Sequence, residues 1–166
     1  MNIRSVLTWL TRRSIPEPGR GRPGQRPTAG PRSTAYPGDF TGTVQATYAP
    51  DLDGDADPGE IVWTWVPYEE DHSRGKDRPV LVVGHDGPWL LALMLSSRDH
   101  DAVGGRSGER WLDLGPGDWD SRRRPSEVRL DRVIRVDPVA MRREGAILDR
   151  TRFDQVARSM GSRRPW

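Results

Sequence analysis

Between residues 60 and 96 the sequence reads EIVWTWV, then PVLVVGH, then PWLLALMLS, three short apolar runs with turn residues between them. Each is too short for a buried helix and is rich in β-branched, leucine and tryptophan side chains, so each reads as a strand. GHDGP, between the second and third, carries Asp86-Gly87, a hairpin turn signal. Further on, ERWLDLG (109–115) alternates, with Trp111 on one face. EVRLDRVIRVD (127–137) alternates more clearly, with Arg129, Arg132 and Arg135 between apolar Val128, Leu130, Val133 and Val136. A register shift near Asp131-Arg132 predicts a turn or bulge there. Asp149 can cap a helix starting near Thr151, in which Phe153, Val156, Ala157 and Met160 share one face and which Gly161 stops. Five to seven short strands and a terminal helix describe a mainly β chain: a small barrel closed by a C-terminal α-helix.

With 166 residues the chain is expected to hold one folded domain. It has no cysteine, which removes disulfides and cysteine zinc sites and fits a reducing cytoplasm. No apolar run approaches the ~18 residues of a membrane span. The opening MNIRSVLTWLTRR lacks the features of a signal peptide. Ile3, Val6, Leu7 and Leu10 follow helical spacing, giving a short helix too marginal for stable membrane association. Residues 16–38 hold six prolines and five glycines and little to bury, so a disordered basic tail is expected over 1–38. An acidic linker (39–58), the barrel (59–161) and a basic tail (162–166) would follow. The polar, glycine-rich stretch 98–125 is long enough to be a mobile or functional loop.

The net charge of +2 hides an asymmetry. Residues 1–38 carry seven arginines against one acid, residues 39–120 seventeen acids against six bases, and residues 121–166 thirteen arginines against six acids. A basic terminal third points to a polyanion; neutralisation within the fold explains the charge equally well. DLDGDADPGE (51–60) has the alternating aspartates of a calcium loop, but its glycine falls at the fourth position and Val62 stands where the closing glutamate belongs, so an acidic turn is expected.

GKDRPVLVV (75–83) places Arg78 where polar residues meet an apolar strand. Pro79 restricts Arg78 to extended geometry and gives its side chain a fixed exit direction. Together, GEIVWTWVPYEEDHSRGKDRPVLVV and VRLDRVIRVDP resemble the MazF/PemK family of toxin ribonucleases, with LALMLSS at the place of that family's third strand. The resemblance covers about residues 59–160. It implies an SH3-like barrel that forms a homodimer. It also implies cleavage of single-stranded RNA with no metal or other cofactor, leaving a cyclic phosphate, and neutralisation by an antitoxin peptide through which any DNA contact would be indirect. Arg135 and Asp137 are matched to the family's Arg-x-Asp pair, Arg78 to its arginine before Pro-Val, and Ser96, with Ser97 beside it, to a threonine after strand three.

Cleavage by the RNA's own 2′-hydroxyl needs a base near that hydroxyl and positive charge around the phosphorane. Asp137 is the expected base, although Arg135, on the same strand face, would lower its proton affinity. Arg135 and Arg78 would supply forked charge and Ser96 a hydroxyl donor. His100, Arg122, Arg123 and Arg124 are candidate phosphate contacts; a surface role suits His100 better, and a solvated loop suits the three arginines equally. Trp63, Trp65 and Trp89 are expected in the core; Trp111 and Trp119 are candidates for stacking on bases. The three histidines, 72, 85 and 100, are scattered and form no expected metal site. Two further functions stay open: a toxin of the same fold that binds a protein such as gyrase through the end of the chain at Trp166, and a non-catalytic SH3-like binding module, which the acidic middle favours.

Overall fold

The computed structural model describes residues 35–100 and 108–161. The expected N-terminal helix, nearly all of the expected basic tail, residues 101–107 of the long loop and the terminal 162–166 lie outside the described residues. The elements in order are β1 (Glu60–Pro67), β2 (Gly75–Asp86), β3 (Trp89–Ser96), β4 (Trp111–Gly115), β5 (Ser126–Arg129), β6 (Ile134–Val136), a 3-10 turn (Pro138–Ala140), β7 (Arg143–Ile147) and helix α1 (Arg150–Gly161). One antiparallel sheet runs in the order β4-β5-β3-β2-β1-β7, with β6 also on β3. It curls into a half-barrel accompanied by α1.

The long apolar runs follow from burial on both faces. Ile61, Leu81, Leu93 and Val128 join one cluster, which Phe153 and Val156 of α1 cover. Val62, Val80, Ala92 and Ile134 join a second cluster on the opposite face. Asp149 accepts the Arg152 amide at 3.0 Å and opens the helix as expected. Gly87, at φ 58°, makes the β2–β3 turn in a conformation that favours glycine.

Four expectations change. The stretch 39–58 is no linker: Phe40, Val44 and Tyr48 pack on the first cluster, the Thr47 amide donates to Val83, and the Tyr48 hydroxyl donates to the Leu148 carbonyl at 2.9 Å. Its acidic turn holds itself, with the Asp51 and Asp57 amides donating to the buried Glu60 carboxylate. β2 begins at Gly75, so Arg78 lies inside a strand, paired with Thr64 of β1. The break expected near Asp131-Arg132 is present and separates β5 from β6, which pair with opposite ends of β3. Finally, Trp119 is no stacking platform: it is 4% exposed, and its indole donates to Ser126 Oγ. Trp63, Trp65 and Trp89, expected in the core, are half-buried.

The Trp119 ring lies over Gly117, where an added Cβ would come within 1.9 Å of it. Gly117→Ala must displace this buried ring, so a loss of about 1–3 kcal/mol is expected from urea unfolding.

Candidate functional site

Residues facing each other across an antiparallel pair share one face of the sheet. The pairings Val80–Met94, Ser96–Glu127 and Trp111–Arg129 therefore place Arg78, Met94, Glu127 and Arg129 on the face of the second apolar cluster. Past Val80 and Ala92 that face turns polar, and a cleft of about 350 Å³ opens. Its walls come from the β1–β2 loop (Tyr68, Glu69, Glu70), from Arg78 and Met94, from Arg98 and His100 beyond β3, and from Trp111, Arg129 and Arg132.

The four cleft arginines divide into two kinds. Arg129, with a side chain 7% exposed, is held by Asp131 at 2.8 Å, Glu69 at 2.9 Å and Glu109 at 3.6 Å. Burial works to lower its proton affinity, but the hydrogen bonds and charge of Asp131, then Glu69 and Glu109, carry it above its ordinary value. Arg132 is 5% exposed and paired with Asp39 at 2.8 Å. Asp39 also accepts the Tyr36 hydroxyl at 2.5 Å. Arg78 and Arg98, by contrast, form no side-chain ion pair among the described residues.

His100 is fixed on two sides. Its Nδ1 lies 2.6 Å from Glu127 Oε2, which also accepts the His100 amide at 3.1 Å. Its ring stacks on Trp111 with centroids 3.6 Å apart and planes 7° apart. The Trp111 indole is anchored in turn to Glu109 at 3.1 Å. One face of Trp111 is thus already occupied.

The other sequence candidates separate from this cleft. Arg135 donates to Asp86 at 2.7 Å and to the carbonyls of Gly38 and Asp39. Asp86 is eight residues from Arg78 along β2, about 26 Å at ~3.3 Å per residue. Arg135 also faces Leu91, on the sheet face away from Arg78. Asp137 caps the 3-10 turn, accepting the Val139 amide at 3.0 Å. The expected convergence of 78, 135 and 137 therefore does not form. VRLDRVIRVD contains Arg-x-Asp twice, and it is the arginine of the first copy, Arg129, that lines the cleft, with Asp131 bound to it. Ser96 is buried and its Oγ accepts the Arg98 amide at 3.1 Å, turning the chain from β3 towards Arg98 and His100. Ser97 is exposed and outside the lining. Arg123 pairs with Asp118 and Arg124 with Asp120, in a turn away from the cleft, and Arg122 shares that turn. Sequence reading missed Arg98, Glu127, Arg129 and Asp131. For the last two the signal was present as the other Arg-x-Asp.

Asp131 is held below the usual carboxylate range: burial would raise it, but the Arg129 hydrogen bonds, the Arg110 amide and the Arg129 charge outweigh that. Asp39 and Asp120 are lowered too, burial being outweighed by arginine partners and by hydrogen bonds from Tyr36 and the Arg122 amide respectively. A lowered carboxylate stabilises the fold above its unfolded value, ~3.9. That stability is lost as pH falls through the folded value. The urea midpoint should hold between pH 7 and about pH 5 and drop below about pH 4, less steeply in Asp131→Asn.

A small curled β-sheet with a terminal helix carries an arginine-rich cleft at one end of the sheet. The family model for the PemK-like, MazF-like toxin of type II toxin–antitoxin systems matches residues 57–162, and the chain belongs to that family. No curated protein matches the chain. No helix among the described residues is long and apolar enough to cross a membrane.

Proposed function

We propose that the chain is an endoribonuclease toxin that cuts single-stranded RNA by attack of the 2′-hydroxyl on the adjacent phosphate, without need of a metal. It acts in the cytoplasm as a homodimer and is restrained by an antitoxin peptide. The observation that carries this reading is the pair Arg78 and Arg98, guanidiniums without carboxylate partners among the described residues, in a cleft that also holds His100. Two such forks suit a phosphate whose transition state gains negative charge. Arg129, already neutralised by carboxylates, fixes the wall between β5 and the β1–β2 loop. Family membership supports the toxin role and the antitoxin partner.

The test is incubation of purified full chain with single-stranded RNA in excess chelator. Fragments ending in a 2′,3′-cyclic phosphate, and resistance of the all-deoxy sequence, are expected. Intact RNA after prolonged incubation with folded protein overturns the reading.

A further inference from the structure

The reaction requires a base, and the carboxylates of the two Arg-x-Asp pairs are poorly suited to it. Asp131 already accepts from Arg129 and the Arg110 amide, which lower its affinity for a proton, and Asp137 is spent on the 3-10 turn remote from the cleft. His100 differs in placement and in chemistry. It lines the cleft with Arg78 and Arg98. An ionised carboxylate only accepts, so the 2.6 Å contact to Glu127 makes Nδ1 the donor. The neutral ring then carries its lone pair on Nε2, which has no partner among the described residues. The Trp111 stack and the Glu127 contact together fix the plane of the ring and its rotation within that plane. This is the general arrangement of a base oriented by a carboxylate behind it.

We propose that His100 is the general base of the cleavage and that Glu127 is its positioning residue. The proposal rests on the ribonuclease reading above. Nε2 takes the proton of the 2′-hydroxyl as the O2′–P bond forms and the P–O5′ bond breaks. The departing O5′ takes a proton from a solvent water, and the imidazolium later returns its own proton to the resulting hydroxide. Glu127 faces the charge that appears on the ring, so it stabilises the protonated form as well as the orientation. Arg78 and Arg98 remain on the phosphate and carry no proton.

The experiment uses the full chain and a DNA oligonucleotide carrying a single ribonucleotide, together with its all-deoxy counterpart as a binding probe. His100→Asn is expected to lose about 10²–10⁴-fold in kcat, the range of general base catalysis, with deoxy-probe affinity within about threefold. Glu127→Gln is expected to lose about tenfold or more in kcat with KM unchanged. His100→Gly should regain part of its activity in added free imidazole, which a purely structural role does not allow. A substrate with sulfur in place of the bridging 5′ oxygen needs no acid for departure. The His100→Asn defect should persist on it, and recovery there would reassign His100 as the acid and overturn the proposal. Activity of His100→Asn within threefold of the parent overturns the proposal while leaving the nuclease reading intact. A folded parent chain that cleaves no ribonucleotide-containing probe removes both. If His100→Asn does not fold, Glu127→Gln decides: an unchanged kcat overturns the proposal.

Discussion

Arg78→Ala is expected to lower RNA cleavage by about 10²–10³-fold and to leave the urea midpoint almost unchanged. The first figure is the usual loss on removing one preorganised contact to a developing charge, about 2.7–4 kcal/mol. The second follows from surroundings: the guanidinium is half-buried and without an ion pair among the described residues, so its loss strands no carboxylate. Arg78→Lys should recover only part of the rate, because an ammonium supplies a point charge without the planar fork. Arg135→Ala is the contrasting variant. It should cleave within about threefold of the parent. It should lose about 1.5–3 kcal/mol of stability, because it breaks a charged hydrogen bond to Asp86 and leaves two carbonyls of the 38–39 stretch without their donor. Equal loss of cleavage in both variants, with equal folding, would refute the placement of the site at the Arg78 end of β2.

Arg129→Ala should cost about 3–5 kcal/mol, the largest single effect on folding expected here. The guanidinium is 7% exposed and stands among Asp131, Glu109 and Glu69, whose side chains are 20%, 15% and 51% exposed. Removing it takes the shared guanidinium from two poorly hydrated carboxylates. Asp131→Ala should cost less, because Arg129 keeps Glu69 and Glu109, although the Arg110 amide loses its acceptor. The double variant should fall short of the sum of the two singles, since the pair removed together strands less charge than either alone. Urea titrations of the four proteins read this directly, and strict additivity would show that the pair contributes nothing as a pair.

The sequence pattern sufficed where one physical cause dominated. The runs in β1, β2 and β3 are apolar because both sheet faces are covered, and Asp86-Gly87 announced their turn. The Asp149 cap and Gly161 bounded the helix. β7 escaped notice because REGAI is short and largely polar; its strand identity comes from pairing with β1, which no local signal reveals. The docking of Phe40 and Tyr48 was hidden for a similar reason: two aromatics among glycines and acids have no period, and their partners Val133 and Leu148 lie far along the chain. The site was legible in part. Pro79 drew attention to Arg78, and His100 was a phosphate contact candidate without its carboxylate; both line the cleft. The error at Arg135 and Asp137 arose from a repeated tripeptide pattern, since alternation alone places both copies on an acceptable strand face. Only the break at residues 130–133, which sends β5 and β6 to different ends of β3, separates them in space.

The tie between Asp39 and Arg132 spans 93 positions of sequence. Closing so wide a loop is entropically costly and slow compared with making a local turn. A chain emerging from the ribosome holds its first anchoring carboxylate early, yet the arginine that completes the wall arrives only after most of the protein has been synthesised. Incomplete translation products would then possess separate pieces of the basic surface but no assembled hollow, so a truncated copy should be harmless to the cell that makes it.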